Sequence, residues 1–445
     1  MTCRMPGITR MVALGVLAAT GPAACGHRST GSSPIADCPV AGAEFGKRPI
    51  DSTCGAAPSG ADLAWHVIDI APSPVVMDIP GGFAAAGDGT IGIVGLAVGA
   101  PQSLQPLPIG FGVARIGDTR LGNATWQEFS LEPGPCGASM LPGIAFSAGE
   151  FAITSNQPFA PDRQAHLVRT NVAGYVVCDA CLPKHGPALP FARNGQLWLV
   201  DAVPPLPSTT LRMALVGLQC DEPAAGVQVG LPVPASSAVR PTEAACNVEA
   251  CAFAVTTALS ASGPGSSGVY ALADVGTLAW AWTSPPKVWP PSVRWQADGS
   301  GWIVAWKGVT TTGWSLQRIR VAGEPPYVQE SLASVAVSDS IGHTSHQIAL
   351  APDGRLCVQL PYQTDDLDAE DVHIGCFGED GQLQGTLQLR LPKGDRIVVG
   401  GYFDGRWVWY VDVTGTTTRS ARIFVGPADG TPGLGLVLGT SPGVP

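Results

Sequence analysis

A short turn followed by an alternating strand recurs seven times along this 445-residue chain, and the repeat restricts the fold more than any single motif does. The copies are GDGTIGIVGLA (87–97), SAGEFAITSN (147–156), RNGQLWLVDA (193–202), NVEACAFAVTT (247–257), ADGSGWIVAWK (297–307), PDGRLCVQLPY (352–362) and FDGRWVWYVDV (403–413), about 53 residues apart on average. A unit of that length, built of several short strands, buries its faces only against neighbouring copies. In the sixth copy HQIALAPDG, RLCVQLPY, DVHIGCFGEDG and QLQGTLQL read as four strands, A to D, joined by turns that accept positive φ. The fifth copy runs SVRWQADG, GWIVAWKG, WSLQRIRVAG and YVQESLASV in the same order.

Four strands per unit and seven units predict an all-β chain, a seven-bladed β-propeller of four-stranded antiparallel blades over residues 61–440. Composition agrees: 56 Gly and 41 Pro suit a turn-rich protein, and 13% charged residues are too few for a helical bundle or coiled coil. The 45% hydrophobic content is enough for a large core and argues against disorder. The chain resembles seven-bladed propellers generally. It lacks the Trp-Asp blade ending of one class, the paired glycines of kelch repeats, the Ser-x-Asp-x-Gly-x-x-Trp box of sialidases and the tryptophan-docking pattern of quinoproteins. The resemblance therefore implies a fold and no particular chemistry. LAWHVIDI (63–70) is expected to close the ring as an outer strand beside SARIFVGP (420–427), with GLGLVLGT (433–440) the alternative for that place.

The N-terminus carries two arginines, a short apolar run (MVALGVLAAT, 11–20) and small residues ahead of Cys25. Ten apolar residues do not span a bilayer, so 1–24 read as an export signal. The arrangement resembles a bacterial lipoprotein signal, which implies lipidation of Cys25 and an anchor in the cell envelope. Gly26 lacks the Asp associated with inner-membrane retention, which points to the outer membrane. Pro22 departs from the lipoprotein pattern, and ordinary signal-peptidase cleavage near the same point is the other reading. Residues 25–60, rich in Ser, Gly and Pro, read as a tether that ends in a small loop if Cys38 bonds Cys54.

Ten cysteines remain after Cys3 and Cys25, an even number suited to an oxidising compartment. Cys246 and Cys251 flank a hairpin centre that lacks the turn glycine, and Cys357 and Cys376 are equidistant from Asp366–Leu367. Each pair is expected to face across a ladder within reach of a disulfide. Cys178-x-x-Cys181 reads as structural, bonded within itself or to Cys136 and Cys220, because no thioredoxin-like setting surrounds it.

A formal charge of −10 disfavours nucleic acid and anionic lipid surfaces as partners. Asp365, Asp366 and Asp368, with Glu370 and Asp371, are candidate Ca²⁺ ligands, but a solvated acidic hairpin explains them and no EF-hand spacing is present. His343, His346 and His373 have a similar polar-loop explanation. Seven tryptophans lie between 280 and 314, and they suit either sugar stacking, Trp289 above all, or packing between blades. No nucleophile elbow or phosphate loop occurs, so neither catalytic residues nor a cofactor is assigned. The sequence thus reads as an exported, lipid-anchored, monomeric binding scaffold for a protein or polysaccharide at the cell surface. An exported enzyme acting on glycans or another extracellular substrate is the alternative. A convergent cluster of carboxylates, His or Arg around the central channel would favour the enzyme, and an apolar or plugged channel would exclude it.

Overall fold

The computed structural model describes residues 66–70, 75–76, 82–86, 90–97, 109–115, 127–129, 143–155, 165–182, 184–204, 208–217, 220–221, 226–235, 237–258, 266–285, 290–310, 313–338, 348–360, 369–392, 395–403, 405–414, 419–426 and 436–439. Every regular element among them is a strand, and the strands form seven separate sheets. The chain folds as an all-β propeller of four-stranded antiparallel blades.

The second, third and fourth sheets show the repeat at its plainest. The third, for example, runs Ala188–Arg193, Gln196–Ala202, Thr210–Leu215 and Val227–Gly230, each strand antiparallel to the one before it. The second begins at Gly143–Ser147 and the fourth at Ala238–Cys246. In the first sheet the inner strand is split into Val75–Val76 and Phe83–Ala85, both paired with Thr90–Ala97. In the fifth, which begins at Ser292–Trp295, it is the outer strand that is split, into Gln329–Ser331 and Val335–Ser338. The sixth begins at Ile348–Leu350 and the seventh at Asp395–Phe403. The inner strand of each sheet contacts the inner strand of the next, and Asp395–Phe403 contacts Phe83–Ala85.

Local sequence explains the hairpins between strands A and B. Asn194 and Gly195 take φ of 50° and 70°, the left-handed pair that two-residue hairpin turns require, and Gly supplies it without Cβ strain. The fourth hairpin has no glycine. There Asn247 Oδ1 accepts hydrogen bonds from the backbone N–H of Glu249 (2.9 Å) and Ala250 (2.7 Å), and the Cys246–Cys251 disulfide closes the ladder behind it.

Cores lie between sheets. Phe191, Leu211 and Met213 of the third sheet pack with Phe253, Tyr270 and Leu272 of the fourth. Ala252 and Val269 of the fourth meet Trp302, Val304 and Val321 of the fifth. Each fully buried large side chain contributes roughly 1.5–3 kcal/mol, so adjacent blades stabilise one another. Between the first and second sheets the approach is so close that a Cβ on Gly92 would fall 2.5 Å from the Phe151 ring.

The N-terminal strand completes the seventh sheet. His66–Ile70 pairs antiparallel with Arg419–Val425, His66 opposite Val425 and Ile70 opposite Ala421. The alternative occupant goes elsewhere: Leu436–Gly439 adds to the sixth sheet, parallel to Leu383–Pro392. An antiparallel partner for Arg419–Val425 has to come from a segment of opposite direction, and the strand ahead of the first sheet supplies it.

Candidate functional site

The inner strands surround a cavity of about 640 Å³ on the propeller axis. All seven sheets contribute to its wall, through segments that include Gly82–Ala84, Gly143–Phe146, Ala188–Ala192, Arg240–Ala245, Pro290–Ser292, Ile348 and Gly400–Phe403. Most of this wall is apolar side chain or backbone, and its charged groups come from the fourth and fifth sheets. Glu243 is held twice: its carboxylate is ion-paired with Arg294 and accepts the backbone N–H of Val293 at 3.0 Å. Arg294 also donates to the Val293 carbonyl at 2.9 Å. Thr242 Oγ1 donates to the Ala254 carbonyl at 3.2 Å, and Ser292 Oγ to the Ile348 carbonyl of the next sheet at 3.0 Å.

Arg240 differs from these groups. It lines the cavity near the start of its strand, and its Nε has no hydrogen-bond partner. Desolvation by the surrounding protein lowers its pKa from the usual arginine range to about 10, with no charged neighbour contributing. The charged wall thus sums to two cations and one anion, a local excess of positive charge in a chain whose formal charge is −10.

A second cavity of about 450 Å³ lies among the A–B turns of the third to fifth sheets, lined by Asn194, Asn247, Val248, Glu249, Trp295 and Gly323 among others. Arg193 on its edge is engaged with Asp274 and with the Val248 carbonyl (2.7 Å). A third polar cluster centres on Asp201, which is fully buried, accepts from Arg212 Nε (3.1 Å) and Nη2 (2.8 Å), and lies 3.2 Å from His185 Nδ1. This cluster ties the connection after the second sheet to strand B of the third.

The cysteines separate into local and long-range pairs. Cys246–Cys251 and Cys357–Cys376 each join directly opposed ladder positions, with Cα atoms 4.0 Å apart. Cys178 bonds Cys220 across 42 residues, joining the second and third sheets, so the Cys178-x-x-Cys181 motif does not close on itself. Cys181 is disulfide-bonded as well. Cys25, Cys38, Cys54 and Cys136 lie outside the described residues, as do Asp365, Asp366, Asp368, His343, His346 and Trp289. Glu370, Asp371 and His373 lie on the strand Ala369–Phe377, with His373 opposite Leu360 and Gln388. Among the described residues no three His, Cys, Asp or Glu side chains converge as a metal site would require.

The tryptophans pack between blades. Trp280 of the fourth sheet lies 5.4 Å from Trp302 of the fifth, Trp282 lies 4.4 Å from Trp306, and Trp302 is fully buried with its Nε1 donating to the Ala245 carbonyl at 3.2 Å. Sugar stacking is therefore not the role of Trp280, Trp302 or Trp306, each of which is buried. Sequence reasoning passed over Arg240, Glu243 and Arg294. The signal was present: AVRPTEAAC and SVRW are inner strands, and charges on the innermost strand of a low-charge chain have only the channel or a neighbouring blade to face.

No protein-family model matches the chain, and no curated protein matches it in sequence. Solved structures similar to it in fold include hydrazine synthase of Kuenenia stuttgartiensis (11% identity, 77% of this chain and 96% of that one, TM-score 0.46). The Dos1 propeller (8%, 74% and 91%, TM-score 0.44) and the endosialidase of phage phi92 (8%, 82% and 69%, TM-score 0.44) are also similar. Likeness at this level carries no chemistry over to the present chain.

Proposed function

We propose that this protein is an exported binding propeller whose seven sheets are the seven blades of a closed ring, tethered to the bacterial cell envelope through lipidated Cys25. Its partner in this reading is a protein or polysaccharide at the cell surface, with a small ligand accommodated on the axis. The observation that carries the binding role is the axial cavity, open, largely apolar and furnished with Arg240, which makes no ion pair among the described residues. Glu243 is already committed to Arg294, which suits a wall group better than an acid or base waiting for substrate. Export is supported by disulfides that staple two ladders and join two sheets, since such bonds persist in oxidising compartments. The unbroken sequence of inner-strand contacts supports the closed ring.

Two experiments test the proposal. The wild-type protein should enter the detergent phase of a Triton X-114 partition, and Cys25→Ala should stay in the aqueous phase; identical partitioning of the two excludes the anchor. A thermal-shift screen of small organic acids, amines and neutral compounds should return at least one ligand whose effect is lost in Ala192→Trp. Ala192 is an exposed residue of the cavity wall. A screen in which no compound stabilises the wild-type chain excludes an axial ligand site.

A further inference from the structure

Arg240 is an unusual residue for an inner strand. Its neighbours on the fourth sheet are committed: Thr242 to the Ala254 carbonyl, Glu243 to Arg294 and to the Val293 N–H. Its Nε is sequestered without an acceptor, and no ion pair to it exists among the described residues. Comparison with the chain's buried arginines makes the point, since those are enclosed and engaged while Arg240 is half-buried. Arg169 is paired with Glu150 and donates to the Gly217 carbonyl (2.7 Å). Arg193 is paired with Asp274, and Arg318 donates to four backbone carbonyls. Arg240 itself is only half-buried, so apart from Nε its guanidinium is open to the cavity. Placed on the wall of a cavity large enough for a small molecule, it lacks an anion that the folded chain does not supply.

From this geometry we propose that the axial cavity binds a small organic anion, a carboxylate carried on an apolar body, with Arg240 as the group that receives the negative charge. The inference rests on the binding role above and goes further by assigning the ligand's charge and the residue that reads it. The apolar wall formed by Phe83, Ala84, Ile144, Phe191 and Ile348 takes the body of such a ligand. The Glu243–Arg294 pair is neutral as a unit and leaves Arg240 as the net charge. The guanidinium fork matches a carboxylate in two parallel hydrogen bonds, which gives orientation as well as affinity.

The test is a ligand-observed NMR titration of the full mature chain at pH 7, with benzoate as probe and benzamide as its neutral isostere. Benzoate should bind saturably and at least about tenfold more tightly than benzamide, as the charge-assisted hydrogen bonds imply. Arg240→Met should remove that preference, Arg240→Lys should keep part of it, and the unfolding midpoint of the Met variant should be close to that of wild type because no ion pair is lost. Equal affinity for the two probes, a comparison that needs no variant, overturns the anion assignment while the binding role stands. Benzoate binding that Arg240→Met leaves intact overturns it also. No saturable benzoate binding overturns it again, and an empty compound screen beside that result removes the binding role as well.

Discussion

Replacing Arg318 with Met should destabilise the protein by about 3–5 kcal/mol, because this side chain serves as a clamp between the fifth and sixth sheets. Only 2% of it is exposed. Its Nη1 donates to the carbonyls of Gly354 and Gly378, both at 2.8 Å, and its Nη2 to those of Ala333 and Glu379, both at 3.0 Å. Hydrogen bonds that involve a charged group contribute roughly 1.5–3 kcal/mol each. Against them stands the cost of burying the guanidinium, visible in a pKa held below the usual arginine range mainly by desolvation and partly restored by Glu379 and Asp380. Met keeps most of the volume and removes the charge, so the loss that remains is that of the carbonyls of Gly354, Ala333 and Glu379 left without this donor at a packed seam, while that of Gly378 keeps the Gly381 N–H at 3.0 Å. With an unfolding entropy of about 2.1 cal/mol/K per residue, a chain of this size should lose roughly 3–5 °C in midpoint. Guanidinium unfolding followed by tryptophan fluorescence reads both quantities. Arg318→Lys, with a point charge that cannot fork, should recover about half of the loss. A Met variant within about 1 kcal/mol of wild type would refute the clamp, because the four bonds would then do no more than offset the desolvation.

Three further outcomes follow from the same geometry. Deleting the chain through residue 70 should leave Arg419–Val425 as an open edge, with a lower unfolding midpoint and self-association visible by light scattering; a monomer of unaltered midpoint would show that His66–Ile70 does not close the ring. Deleting from residue 436 onward removes only the parallel addition to the sixth sheet and should cost far less, so equal losses from the two truncations would contradict the topology. At the disulfides, loop entropy predicts a loss of about 2 kcal/mol for the Cys246→Ala/Cys251→Ala pair and about 3 kcal/mol for Cys357→Ala/Cys376→Ala, whose separations are 5 and 19 residues, and Asn247→Ala should cost about 1 kcal/mol more in the first background; denaturant midpoints that reverse this order would sink the reasoning.

What the sequence determined alone is whatever lies within a hairpin. Turn chemistry at Asn194-Gly195 sets a two-residue loop, the loop sets the register, and the register puts Cys246 opposite Cys251 and, across a longer connection, Cys357 opposite Cys376. The four-strand unit and its recurrence were legible for the same reason, since each strand pairs with the strand next to it in the chain. Other features depend on which blade comes to lie beside which, and these only the tertiary structure decided. Cys178 had three cysteines to choose from and bonds one in the next sheet. The tryptophans between 280 and 314 carry no mark of their facing, and it is the meeting of the fourth and fifth sheets that buries Trp280, Trp302 and Trp306. Arg318 and Arg240 look alike as single charges on strands, yet one reaches four carbonyls of neighbouring segments and the other lines the axial cavity with no ion pair among the described residues. Partners about fifty residues away are set by blade packing, and a local pattern of period two has no means of specifying them.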